Sequence, residues 1–111
     1  MKLKTIGNTI YYRNRQIKLD YFIGSAYKIM NKIIVRFDVT KDIINKSDFH
    51  NIICINLYGG MIWEAELPSN ESTTLYYDIY KYFPRIIAHS LSYDCKINIK
   101  TGKIIRKKWI K

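Results

Sequence analysis

Apolar and polar residues alternate along most of this chain, in segments rich in Ile, Tyr and Phe. A period of two with β-branched and aromatic enrichment predicts strands that bury one face. Residues 10–19 read as a hairpin turning near Asn14, and 22–29 with 33–39 as a second around Met30-Asn31. Residues 51–57 and 61–67 form a third around Tyr58-Gly59-Gly60, where glycine admits positive φ. Residues 74–81 and 85–91 turn at Phe83-Pro84, and 95–99 with 104–110 close around Thr101-Gly102. The expectation is ten short strands and no obligatory helix. Two segments compete with it. Leu75, Ile79 and Tyr82 also fit helical spacing behind Ser72, and Lys41-Asp42-Ile43-Ile44-Asn45 suits one helical turn.

The hairpins repeat. Ile55-Asn56-Leu57-Tyr58-Gly59-Gly60-Met61-Ile62 aligns with Ile97-Asn98-Ile99-Lys100-Thr101-Gly102-Lys103-Ile104, 42 positions later. Upstream, Lys28-Ile29-Met30-Asn31-Lys32-Ile33-Ile34-Val35 aligns with Lys81-Tyr82-Phe83-Pro84-Arg85-Ile86-Ile87-Ala88, 53 positions later. The difference in offset assigns the first copy 11 extra residues, in the polar stretch around 40–50. Each copy is then a four-stranded meander, the unit of β-propellers, but two such units cannot close a propeller. The predicted fold class is all-β: two four-stranded antiparallel meanders plus an N-terminal hairpin, packed as one sandwich or curved sheet. One domain is expected over 1–111, with the hairpin at 1–20, the first meander at 21–67 and the second at 74–111.

Two tryptophans, Trp63 and Trp109, end the last strand of each copy and are expected to anchor the core or the seam. Cys54 and Cys95 lack a C-x-x-C or metal-ligand spacing and suit buried thiols. If Ile55 and Ile97 both face the core, Cys95 shares that face and Cys54 points away, so a bridge between them is not expected.

The run Asn51-Ile52-Ile53-Cys54-Ile55-Asn56-Leu57-Tyr58-Gly59-Gly60-Met61-Ile62-Trp63-Glu64, followed by Ile86-Ile87-Ala88-His89-Ser90 and the closing hairpin on Thr101-Gly102-Lys103, resembles a family of small, mostly uncharacterised bacterial β-rich proteins. The turn is also similar to the blades of pyrroloquinoline-quinone-type propellers. The resemblance spans roughly 28–110 and rests on turns and packing, with no catalytic residue in it. It implies a place among toxin–immunity genes, whose small cytosolic products neutralise a cognate toxin.

Composition adds a charge of +10, from 19 Lys+Arg against 9 Asp+Glu in 111 residues. The chain has 21 Ile, 14 Lys, 10 Tyr and 8 Asn, residues with A/T-rich codons, so gene composition inflates part of the lysine excess. The charge is also unevenly placed: +7 over 1–36, −4 over 37–95 and +7 over 96–111. Blocks of one sign steer a charged partner. No apolar stretch follows the basic N-terminus and none reaches the roughly 18 residues of a membrane span, so a cytoplasmic protein without membrane contact is expected.

Catalytic inventory is thin. His50 and His89 lie 39 positions apart with no ligand-spaced partners, which predicts no metal and no cofactor. Ser90 adjoins His89, but neighbours in a strand point to opposite faces. Glu64 and Glu66 share a face, with nothing else assembled around them. Taken with the small β-domain and with the toxin–immunity context that the resemblance implies, the expectation is a non-enzymatic inhibitor forming a heterodimer with a cognate protein toxin. Its partner-binding residues are taken from the acidic, tyrosine-bearing middle: Asp42, Asp48, His50, Glu64, Glu66, Tyr76, Tyr77 and Tyr80, with Tyr58 a further aromatic anchor. A basic nucleic-acid-binding module is the alternative, using Arg106, Lys107 and Lys108 with Tyr11, Tyr12 and Trp109 as stacking groups. A mobile-element protein blocking a host defence enzyme is a third reading with the same physics.

Overall fold

The computed structural model describes residues 3–44, 46, 49–69, 75–82 and 85–110. Eleven strands and one helical turn are found among them, in three antiparallel sheets. The N-terminal sheet holds β1 (Lys4–Ile6), β2 (Thr9–Tyr12) and β3 (Arg15–Lys18). The first meander is a sheet of β4 (Ile23–Ile29), β5 (Lys32–Phe37), β6 (Ile52–Asn56) and β7 (Met61–Glu64), with α1 (Lys41–Ile44) between β5 and β6. The second meander holds β8 (Asp78–Tyr82), β9 (Arg85–His89), β10 (Tyr93–Ile97) and β11 (Ile104–Trp109), again in sequential order.

Ten of these strands answer to the ten predicted ones; β1 is additional. It pairs with β2 through Ile6↔Thr9, leaving Gly7-Asn8 as a two-residue link with Gly7 at φ 61°. Gly-Asn between two runs is itself a hairpin signal, although Lys4-Thr5-Ile6 is exposed along its length and carries no alternation. The turns at Arg13-Asn14 and Met30-Asn31 fall where expected, and both Arg13 and Met30 adopt φ 55°. The turn expected at Phe83-Pro84 lies outside the described residues. One helical turn forms at 41–44, where Ile43 and Ile44 donate to the Thr40 carbonyl and Ile43 is buried. Helical spacing at Leu75 and Ile79 does not produce a helix: 75–77 is irregular and Ile79 sits in β8. Pairing along the full length of β9 wins over local periodicity.

The two meanders stack face to face, which resolves the fold into a sandwich. Ile34, Ile52, Cys54 and Trp63 of the first sheet meet Ile79, Ile86, Ala88, Cys95 and Ile97 of the second. A second core lies on the other face of the first sheet, where Ile33, Val35, Phe37, Ile53 and Ile55 pack against Ile10, Ile17, Ile43 and Leu75. Residues 33–37 and 51–55 are therefore buried without interruption. This explains why Ile33-Ile34-Val35 and Ile52-Ile53-Cys54-Ile55 break the alternation: a strand covered on both faces has no polar side.

That arrangement corrects the cysteine geometry. Ile55 faces the N-terminal sheet and Ile97 faces the first meander, so they do not share a core. Cys54 and Cys95 instead lie in the same layer, both fully buried and both free thiols.

The repeat is real in the backbone. Asn56 and Asn98, 42 apart, each begin a turn by accepting backbone N–H bonds on their Oδ1, from Tyr58 and Gly60 and from Lys100 respectively. Each turn then uses a glycine at positive φ, Gly59 at 97° and Gly102 at 77°. Past each turn the register slips by one residue, so that Ile62 and Ile105 are the bulged positions. This register makes Arg106, not Trp109, the counterpart of Trp63. Trp63 is buried and donates from Nε1 to the Ile99 carbonyl at 3.0 Å, a seam anchor as expected. Trp109 is not: at the end of an edge strand it is 58% exposed and rests edge-on against Tyr93.

Asn51 fastens the layers. Fully buried, it donates from Nδ2 to the carbonyls of Phe37 (3.2 Å) and Tyr76 (2.6 Å) and accepts from the Tyr76 N–H (3.0 Å). One side chain thus satisfies the buried backbone of Tyr76, in an irregular segment whose next residue, Tyr77, donates to the His89 carbonyl at the end of β9.

Candidate functional site

Two concave surfaces stand out, on opposite sides of the stack. The first is a cleft of about 310 Å³ between the N-terminal sheet and the first meander. Its floor is Ile53, Ile55 and Met61, and its wall is an aromatic group of Tyr21, Phe37 and Phe49. Tyr21 meets Phe37 at 5.5 Å and Phe49 at 4.9 Å, both edge to face, the favoured geometry of ring pairs. Lys18, Asp20, His50 and Glu64 form the polar rim. The cleft exists because the three N-terminal strands are short and leave β7 uncovered, with Met61 57% exposed. Its near end is held by Arg15, which stacks 3.9 Å over the Tyr58 ring and donates to the Leu57 carbonyl. Asp20 and Tyr21 continue into a smaller depression that ends at Thr40 and Asp42.

The predicted partner-binding residues divide among several places. His50 and Glu64 meet at the cleft, and Asp42 lies next to it on the exposed side of α1. His50 donates from Nδ1 to the Ala65 carbonyl at 2.7 Å, which orients the ring. Asp48 lies outside the described residues. Tyr76 is a core residue: it is fully buried, and its hydroxyl donates to the Glu66 carbonyl at 2.6 Å, so it offers nothing to a partner. Glu66 points at the seam between the sheets, where its Oε1 accepts from the Ile104 N–H at 2.8 Å. Tyr77 is partly exposed beyond the end of the second sheet. Tyr80 belongs to the other concave surface. Sequence reading missed Asp20, Tyr21, Phe37 and Phe49, although an aromatic residue inside the polar 40–50 stretch was a usable signal for Phe49.

The second surface is the outer face of the second meander. Register places Asp78, His89, Asp94 and Lys108 in one cross-strand row and Tyr80, Ile87, Lys96 and Arg106 in the next. Arg85, Ile87, Asp94, Lys96, Arg106 and Lys108 line a groove of about 560 Å³. The basic tail is thereby split: Arg106 and Lys108 face the groove, whereas Lys107 lies on the opposite side and donates to the Pro68 carbonyl at 2.7 Å. His89 donates from Nδ1 to the Asp94 carboxylate, and the Tyr80 ring packs edge-on at 4.5 Å from the imidazole. His89 Nε2 is buried without a hydrogen-bond partner. A carboxylate–imidazole pair moves protons through that second nitrogen, and among the described residues no hydroxyl reaches it. Ser90 Oγ accepts instead from the Ser92 and Tyr93 N–H groups and shapes the β9–β10 turn.

Burial pushes the Cys54 thiol up to about 11 and also raises Cys95 and the Tyr76 hydroxyl, so all three are held neutral in the core. Among the described residues no three His, Cys, Asp or Glu side chains gather as metal ligands. Nor is any helix long and apolar enough to cross a membrane.

Among its described residues the chain is thus an all-β domain of three antiparallel sheets with two surface concavities. The chain is a member of the DUF7957 family, a domain of unknown function whose family model matches residues 1–109. No curated protein and no solved structure matches it.

Proposed function

We propose that this protein is a non-enzymatic, protein-binding inhibitor that docks through the cleft between its N-terminal sheet and first meander. In its specific form it is a cytoplasmic immunity protein that neutralises a cognate bacterial toxin by covering the toxin's active site. The observation that carries this reading is the cleft itself: an apolar, aromatic-walled pocket ringed by Asp20, Glu64, His50 and Lys18. A partner's anchor side chain fits such a pocket while the charged rim selects the surroundings. Exposed Met61 supplies an adaptable contact at its mouth. The polar stretch carrying Asp42 and His50 has no counterpart in the second meander, which places the extra chain length beside this surface. A host defence enzyme is a partner of the same kind for a protein of mobile-element origin.

The test is co-purification with the products of adjacent genes. A stoichiometric heterodimer is expected, weakened about 30-fold or more by Met61→Arg with Glu64→Lys, the loss typical of a hot-spot pair. If no neighbour forms a complex and none is toxic when expressed alone, the inhibitor reading fails.

A further inference from the structure

We infer that the groove on the outer face of the second meander is a binding site for single-stranded nucleic acid, on a surface separate from the cleft. Four cations line it: Arg85 from β9, Lys96 from β10, and Arg106 and Lys108 from β11. Among the described residues none of the four lies within ion-pair distance of a carboxylate. The one carboxylate in the groove, Asp94, is engaged by His89. The lining therefore carries an uncompensated +3, in a protein whose overall charge is +10. Unpaired cations brought side by side repel one another, and an anion that spans them removes that repulsion.

The polymer is selected by spacing and by the floor. Adjacent strands lie about 4.8 Å apart and same-face residues about 6.8 Å apart along a strand. The cations step diagonally across β9, β10 and β11 at such intervals, which suits successive phosphates of an extended strand. Four strands make a face about 19 Å wide, across which an extended single strand lays successive phosphates on the cations and its bases on the apolar floor. Between the cations the floor offers Ile87, flanked by the half-exposed Tyr80 ring, apolar and aromatic surface of the kind that sugars and bases use. Two of the four cations are arginines, whose planar fork grips phosphate oxygens in pairs.

Fluorescence anisotropy with labelled twelve-nucleotide oligo-dT and oligo-rU tests the assignment. Binding is expected at about 50 mM salt, weakening about 50-fold by about 200 mM, as four phosphate contacts on a single strand require. Lys96→Gln with Arg106→Gln should lower the logarithmic salt slope by about 1.4 and weaken both oligomers alike. Removing the same charge elsewhere, by Lys4→Gln with Lys41→Gln, should leave the affinity within about two-fold. All four positions lie on the surface, and circular dichroism checks that the variants stay folded. The inference is overturned by any of three results: no binding at low salt, equal weakening by the control pair, or a twelve-residue polyglutamate binding as tightly as the oligomers. The cleft variants Met61→Arg and Glu64→Lys should not alter oligomer binding, which separates this result from the inhibitor reading.

Discussion

The two meanders share a repeat and differ in what covers them. Both carry the Asn-initiated turn, the positive-φ glycine and the bulge one residue beyond the turn. The first is packed on both faces, so its central strands are almost wholly apolar; the second is packed on one, and alternates. The same supersecondary unit thus becomes a structural centre in one position and a charged surface in the other. What decides between them is the N-terminal sheet, which shields the first copy except at the cleft.

The sharpest way to break the comparison is to place one substitution at two positions. Ile53→Asp puts a carboxylate into the core beneath the N-terminal sheet and should cost about 4 kcal/mol or more, enough to abolish a cooperative urea transition. Ile87→Asp, on the half-buried outer face, should cost only about 1 kcal/mol. Similar losses at the two sites would mean that the first sheet is not covered on both faces.

Asn51→Ala should come next, at about 2–4 kcal/mol, because it orphans the buried N–H and carbonyl of Tyr76 together with the Phe37 carbonyl. Asn98→Ala, in the exposed turn of the second meander, should cost about 1 kcal/mol at most. Chemical denaturation of both variants measures the difference directly.

The smallest expected effect is alkaline. The folded-state pKa of Cys54 is raised to about 11, so the unfolded chain loses its thiol proton first as pH rises. Stability is fully present below the ordinary thiol pKa and declines from there as pH rises toward 11. Cys95 and Tyr76 act in the same direction. Cys54→Ala, although less stable at pH 7, should flatten the pH dependence of the denaturation midpoint; an unchanged slope would place the alkaline sensitivity elsewhere.

Most of the fold is legible in the sequence, because strand alternation and turn residues are local. The ten strands and the Met30-Asn31 and Thr101-Gly102 turns rest on residues within a few positions of one another, and the repeat is a recurrence of such local patterns 42 and 53 positions on. The site residues were less legible because side-chain orientation depends on register and on layers. Tyr76 reads as an exposed anchor beside Tyr77 but serves as a core hydrogen-bond donor. Trp109 looks like a second Trp63, but strand pairing puts Arg106 at that place in the second copy and Trp109 opposite Tyr93 at the strand's far end. Arg85 and Lys96 lie far from the basic tail in sequence and meet it only through the β9–β10–β11 pairing.

Gly102 binds the histories of two distant positions together. Any side chain at 102 would run into the Trp63 ring and the Glu64 carbonyl, in a backbone conformation that already disfavours L-residues. The neighbouring Gly102 carbonyl accepts from the Glu66 N–H at 2.8 Å, so the turn cannot slide away to make room. An indole and an absent side chain occupy one volume, and neither can be inherited alone. Among members of this family, a larger residue at 102 should therefore travel with a smaller one at 63, and a chain that keeps the tryptophan should keep the glycine.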